Sequence, residues 1–261
     1  MRLAEGLLLL LSRDPRLRGH RPAAPEGSGD DPLALLRRSF PGRLEDLTGL
    51  RVLDFGCGSG AQVVALARAG AAHVVGVEIG QRFAAEAKRR AQAAGLAERV
   101  EILPAPRPED EGRFDLVVSQ NAMEHFREPL GALTAMKRAL APRGSVLLVF
   151  GPPWYAPYGG HMYFFTRLPW VTLLFSERTV MSVRARYRDD GITRYADLEQ
   201  GLNRMSVARF ERLVEASGLE VIDRRDEHAH GQRWLGARPL LRELLTTQVS
   251  CVLARPPSRA G

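Results

Sequence analysis

Between residues 51 and 150 short apolar runs alternate with amphipathic stretches, and this alternation constrains the fold more than any other feature of the chain. Arg51–Phe55, His73–Glu78, Val100–Leu103, Phe114–Ser119 and Ser145–Phe150 have the length and the valine-rich content of buried strands. Ala61–Ala69, Arg82–Ala94 and Pro129–Leu140 lie between them, with apolar residues at helical spacing. Strands that alternate with helices pair in parallel and carry helices on both faces, so the expectation is a doubly wound α/β sheet. The turn Ala141-Pro142-Arg143-Gly144 is expected to lead into the fifth strand. Beyond residue 200 the pattern predicts a helix over Ser206–Ser217, with Ser206 as its N-cap and Gly218 as its stop. A strand over Leu219–Arg224, a helix over Ala237–Leu245 and a strand over Gln248–Ala254 follow.

The flanks are simpler. Leu7–Leu11 is a five-leucine run followed at once by Arg13, Asp14 and Arg16, too short for a signal sequence or a membrane span. Residues 20–32 are rich in Pro, Gly, Ser and Asp and are expected to form a linker, with a short helix over Leu33–Phe40. Two cysteines, Cys57 and Cys251, cannot make a disulfide scaffold, and the expected compartment is the cytoplasm. The formal charge is +7, yet Lys88 and Lys137 are the only lysines, and the 35 arginines are spread along the chain. A nucleic-acid footprint is a stripe or patch, so no nucleic-acid partner is expected.

The first strand runs into Asp54-Phe55-Gly56-Cys57-Gly58-Ser59-Gly60, and a helix follows. Glycines let backbone approach a ligand closely, and a helix N-terminus offers free N–H groups. The second strand ends at Glu78, eighteen residues beyond Gly60, where an acid can accept from ribose hydroxyls. Gly56, Gly58 and Ala61 also satisfy the dinucleotide fingerprint, so these residues alone leave an NAD(P)-dependent oxidoreductase open.

Two later segments carry a resemblance. Phe114-Asp115-Leu116-Val117-Val118-Ser119-Gln120-Asn121-Ala122-Met123-Glu124-His125-Phe126 resembles the fourth-strand motif of class I S-adenosylmethionine-dependent methyltransferases, and Leu140–Phe150 resembles their fifth-strand motif. With Val52–Gly60 and Val75–Glu78, four motifs stand in the family's order across residues 50–150. The resemblance implies a Rossmann-like, seven-stranded, mostly parallel sheet whose last two strands form an antiparallel edge. It also implies S-adenosylmethionine as cofactor. Asp54, Gly56, Cys57, Gly58 and Gly60 would hold its amino-acid end, Glu78 its ribose, Ile79 its adenine, and Gln120 would lie beside the sulfonium carbon. His125 holds a common family position on the acceptor side. The acid that usually follows the third strand is missing from Leu103-Pro104-Ala105-Pro106-Arg107, so Glu109, Asp110 or backbone groups are expected to serve the adenine. A methyltransferase-like scaffold without activity is the remaining alternative.

Residues 151–200 break the βα rhythm. Residues 154–175 hold eight of the eighteen aromatics, among them Trp154, Tyr155, Tyr158 and Tyr163. Leaving the fifth strand at the ligand edge of the sheet, this insertion is expected to be an aromatic lid over the acceptor, with His161 as the base for an oxygen acceptor. A small accessory core that buries its own aromatics is the alternative. Trp170, Leu173, Leu174 and Phe175 beside Arg167 and Arg178 suggest peripheral membrane contact through 162–175. His228 and His230 are expected to be loop residues rather than metal ligands. The organisation expected is one domain: an N-terminal extension (1–45), a cofactor half (46–150), the lid (151–200) and a C-terminal unit (201–261). The acceptor expected is a small apolar or aromatic molecule.

Overall fold

The computed structural model describes residues 3–13, 31–198, 201–229 and 238–257. Most of the expected linker, His230, Ala237 and the last four residues lie outside them.

A seven-stranded sheet forms the centre, in the order β3-β2-β1-β4-β5-β7-β6. The strands are β1 (Arg51–Phe55), β2 (His73–Val77), β3 (Val100–Leu103), β4 (Phe114–Gln120), β5 (Leu140–Phe150), β6 (Glu220–His228) and β7 (Thr246–Ala254). The first five pair in parallel, and β7 runs antiparallel between β5 and β6. The helices are α1 (Leu3–Leu10), α2 (Ala34–Ser39), α3 (Ala61–Arg68), α4 (Gln81–Ala93), α5 (Pro129–Ala139), α6 (Val171–Leu174), α7 (Glu177–Arg184), α8 (Val207–Ser217) and α9 (Pro239–Leu245).

Alternation along each strand builds two cores. Val52, Val74, Leu116, Val118 and Leu147 face α2, α3 and α4, while Leu53, Val75, Val117, Val146 and Leu148 face α5 and α8. Ser206 caps α8 through Arg209 N–H and Gly218 ends it at φ 66°, both as the sequence predicts.

Three expectations change. The turn at 141–144 is not a lead-in: Phe114 pairs with Leu140 and Leu116 with Ser145, so Ala141–Gly144 bulges within one long β5. β6 runs to His228, which pairs with Thr246, so His228 is a strand residue. The N-terminal extension is not one unit, because Leu8 of α1 joins the core of the insertion while Leu35 and Leu36 of α2 join the sheet.

The insertion builds that third core from Leu8, Trp154, Met162, Phe165, Val171, Val180, Met181 and Tyr195. Trp154 packs edge-on against Tyr195, with ring centroids 5.0 Å apart. The accessory-core alternative therefore accounts for Trp154. Tyr155, Tyr158 and Tyr163 stay exposed, with the last two rings 4.9 Å apart.

Gly60 closes the loop into α3 at φ +80°, and a Cβ there would lie 2.6 Å from the Ala87 Cβ of α4. Left-handed backbone and overpacking each cost a β-carbon energy, together about 3 kcal/mol. Gly60→Ala is expected to lower the urea midpoint correspondingly; an unchanged midpoint would show that α3 and α4 do not need this close approach.

Candidate functional site

The carboxyl ends of β1, β2, β4 and β5 open onto one edge of the sheet, where open α/β sheets bind ligands. Asp54 is next to last in β1 and is buried at 1% exposure. Gln62 Nε2 donates to its Oδ1 at 3.3 Å, and its Oδ2 has no hydrogen-bond partner. Burial, and then the charge of Glu78, push its pKa up to about 8. Glu78 follows β2 and spans the crevice. Its Oε2 accepts from Gly58 N–H at 3.0 Å and its Oε1 from Gly80 N–H at 2.7 Å. Each oxygen keeps a lone pair for a further donor.

Gly58 sits at φ +52°, and a Cβ there would meet nothing within 4 Å. The space above the loop is therefore open to a ligand. Gly56 and Cys57 donate their N–H groups to the Val77 carbonyl, which fastens the loop to β2. The Cys57 thiol is buried, and burial raises its pKa, so it contributes backbone and packing rather than chemistry. Ile79 stands beside the loop with 79% of its surface exposed, an unusual exposure for an isoleucine at a sheet edge. The acids expected to reach toward an adenine do not do so. Asp110 accepts from Arg107 N–H at 2.9 Å, and Glu109 pairs with Arg107 Nε at 3.2 Å. Arg107 holds both.

A second group of polar residues lies at the carboxyl ends of β4 and β5. Gln120 ends β4 and pairs with Val149, and Asn121 donates to the Val149 carbonyl at φ +50°. Glu124, 3% exposed, accepts from Gly151 N–H through Oε1 at 3.4 Å. His161 is held at φ +54°, and its ring meets the Pro152 carbonyl. Asn121 and His161 are both in left-handed backbone, which Asn and His adopt more readily than other non-glycine residues. His125 donates from Nδ1 to the Gly201 carbonyl at 2.7 Å, and its ring stands edge-on to His161 with centroids 5.5 Å apart.

Burial, reinforced by His125, lowers the His161 pKa to about 4. The ring is neutral at pH 7. Because Nε2 has no partner, the bond to the Pro152 carbonyl comes from Nδ1–H, and Nε2 presents a lone pair. Of the residues the sequence singled out, His125 and His161 have their rings together, while Gln120 stands at the end of β4 opposite Val149. The structure gives no acceptor-facing role to Trp154. The sequence reading assigned nothing to Glu124 and Asn203. The signal for Glu124 was its place beside His125; for Asn203, inside an irregular loop, there was none. Among the described residues no cluster of His, Cys, Asp or Glu could hold a metal, and His228 Nδ1 lies 3.2 Å from the Thr246 hydroxyl.

Asp54 makes a pH prediction. Its folded pKa lies above the unfolded one, so ionising it costs stability as pH rises from about 4 toward 8. Asp54→Asn is expected to raise the melting temperature of the free protein by several degrees at pH 8 and to leave it unchanged below pH 4. An equal shift at both values would show that Asp54 is not raised.

Residues 53–148 match a family model described as a methyltransferase domain. A tRNA U34 carboxymethyltransferase from Cellvibrio japonicus is 35% identical over 108 residues, covering 40% of this chain and 34% of its own length. A ubiquinone biosynthesis O-methyltransferase from Cereibacter sphaeroides is 38% identical over 100 residues, covering 38% of this chain and 40% of its own length. The chain thus spans between a third and two fifths of the length of these curated relatives. The solved structure of an S-adenosylmethionine-dependent methyltransferase from Mesorhizobium loti superposes with a TM-score of 0.54 at 20% identity, over 85% of this chain and 96% of that one. That likeness is one of fold.

Proposed function

We propose that this chain, whose residues 53–148 match a methyltransferase-domain family model, is a class I S-adenosylmethionine-dependent methyltransferase that moves a methyl group directly from that cofactor to an oxygen of a small apolar or aromatic molecule. The observation that carries the cofactor reading is the pair of acids in the glycine crevice. Asp54 Oδ2 is buried and unpartnered, and Glu78 adds a second carboxylate beside it. Such a site favours a ligand with an ammonium and a sulfonium and disfavours the pyrophosphate of a dinucleotide. Asp54 would take the ammonium, Glu78 the ribose hydroxyls, and Ile79 the adenine face. When bound, the cofactor supplies a methyl group on a positively charged sulfur, so the protein's own task is alignment.

Gln120 and His161 are our choice for the acceptor side. His161 Nε2, unprotonated at pH 7, would accept the hydrogen bond of an acceptor hydroxyl. His125 fixes its ring. The unpartnered buried side-chain atoms of Gln120, Glu124, His161 and Asn203 are oxygen and nitrogen acceptors, not cations, which argues for a neutral acceptor over a nucleic-acid phosphate.

Calorimetry with S-adenosylhomocysteine and with NADH tests the cofactor. S-adenosylhomocysteine is expected to bind and, at pH 7, to release close to one proton as its ammonium takes Asp54 below neutrality. Glu78→Ala is expected to weaken it about 100-fold, the loss of two charged hydrogen bonds. Binding of NADH alone overturns the proposal.

The insertion's outer surface supports peripheral membrane contact. Leu173 and Leu174 of α6 are exposed beside Arg178, and Leu3, Leu7 and Leu10 of α1 are exposed as well. Among the described residues no helix is long and apolar enough to cross a membrane. Flotation with phosphatidylglycerol vesicles is expected to carry the protein, and replacing Leu173 and Leu174 together by Asp is expected to leave most of it behind. No flotation of the unaltered protein removes the membrane reading.

A further inference from the structure

Three buried side-chain atoms without partners belong to residues tied to one stretch of main chain, Val149–Pro152, and a fourth belongs to Asn203, which is bonded to the 123–126 turn. Gln120 Oε1 is on the strand residue paired with Val149. Glu124 Oε2 belongs to the carboxyl whose other oxygen accepts from Gly151 N–H. His161 Nε2 belongs to the ring whose other nitrogen meets the Pro152 carbonyl. Asn203 Oδ1 belongs to the amide whose Nδ2 donates at 2.8 Å to both the Met123 and Phe126 carbonyls, and Asn203 N–H donates to the Glu124 carbonyl at 2.9 Å. All four accept hydrogen bonds. Buried acceptors are ordinarily satisfied, so four without partners call for a ligand that brings donors.

Glu124 differs from the other three because it can keep a proton. Its backbone is pinned by Asn203, and its Oε1 is anchored on Gly151. Burial raises its pKa, and His125 offsets this in part. His161, by contrast, falls to about 4 and holds a proton poorly.

We infer that Glu124 is a catalytic residue, the group that receives the acceptor's proton, and that the acceptor presents at least two neighbouring hydroxyls to Glu124 and His161. The inference rests on the methyltransferase reading above. As the new O–C bond forms and the S–C bond breaks, the acceptor's O–H proton passes to Glu124 Oε2. Glu124 ends as the neutral acid, the sulfur of S-adenosylhomocysteine is left uncharged, and the proton returns to solvent when the products leave. His161 Nε2 accepts from the second hydroxyl and fixes the ring in place.

The test uses catechol and 1,2-dimethoxybenzene as probes on the full chain with S-adenosylhomocysteine bound. Catechol is expected to bind, and its dimethyl ether, which has lost both donors, to bind at least tenfold more weakly. Glu124→Gln keeps an oxygen for Gly151 N–H and cannot take a proton. It is expected to bind S-adenosylhomocysteine within twofold of the unaltered protein and to melt no lower at pH 8. It is also expected to bind catechol about tenfold more weakly and to methylate it at least 100-fold more slowly, without the rise in turnover with pH expected of the unaltered protein. Glu124→Asp, which restores a carboxylate, is expected to recover part of the rate and the pH dependence, and it serves if the Gln variant does not fold. Equal catechol affinity in the Gln variant, an unchanged pH profile, or no catechol binding to the unaltered protein overturns the inference. Failure of S-adenosylhomocysteine to bind the unaltered protein counts instead against the cofactor reading.

Discussion

The contact on which the site depends is the Glu78 carboxylate held between two glycine amides, Gly58 N–H at 3.0 Å and Gly80 N–H at 2.7 Å. It ties the end of β2 to the loop leaving β1, and so fixes where the crevice lies between them. The same carboxylate raises the cost of ionising Asp54. A buried acid kept against a second acid is a net destabilisation of the free protein, and a cationic ligand relieves it. The glycines determine how closely a ligand can approach, whereas the two acids determine its charge. The loop is compatible with either nucleotide class, and the proposed choice between them rests on the acids.

The parallel half of the fold was legible because its information is local. Strand, glycine turn and amphipathic helix repeat with little dependence on distant residues, and Ser206 and Gly218 mark their helix by short-range chemistry. The departures occur where pairing overrides pattern. Ala141–Gly144 has turn composition, yet Phe114 pairs with Leu140 and takes the segment into β5. Residues 223–228 are almost all charged and show no apolar alternation. They form a strand because β7 offers a continuous partner edge.

The insertion shows a different limit. A run of aromatics signals burial without saying against what. Trp154 and Phe165 are buried with Leu8 from the far end of the chain, while Tyr155, Tyr158 and Tyr163 remain at the surface. Composition could not divide these aromatics between a core and a lid. The division depends on α1, whose docking onto α7 has no local sequence signal.

The acceptor side turns on the same distinction between residue type and environment. A histidine after two glycines looks like a base from its type, and a glutamate in a motif looks structural. Burial acts on the two in opposite directions. It disfavours the charged imidazolium, so His161 loses basicity, and it disfavours the charged carboxylate, so Glu124 gains it. Burial therefore turns the expected base into a hydrogen-bond acceptor and its neighbour's carboxyl into the proton's destination. The sequence singled out His161 and gave Glu124 no role, because the roles follow from burial that exists only once β4, β5 and the 201–206 loop have closed around them.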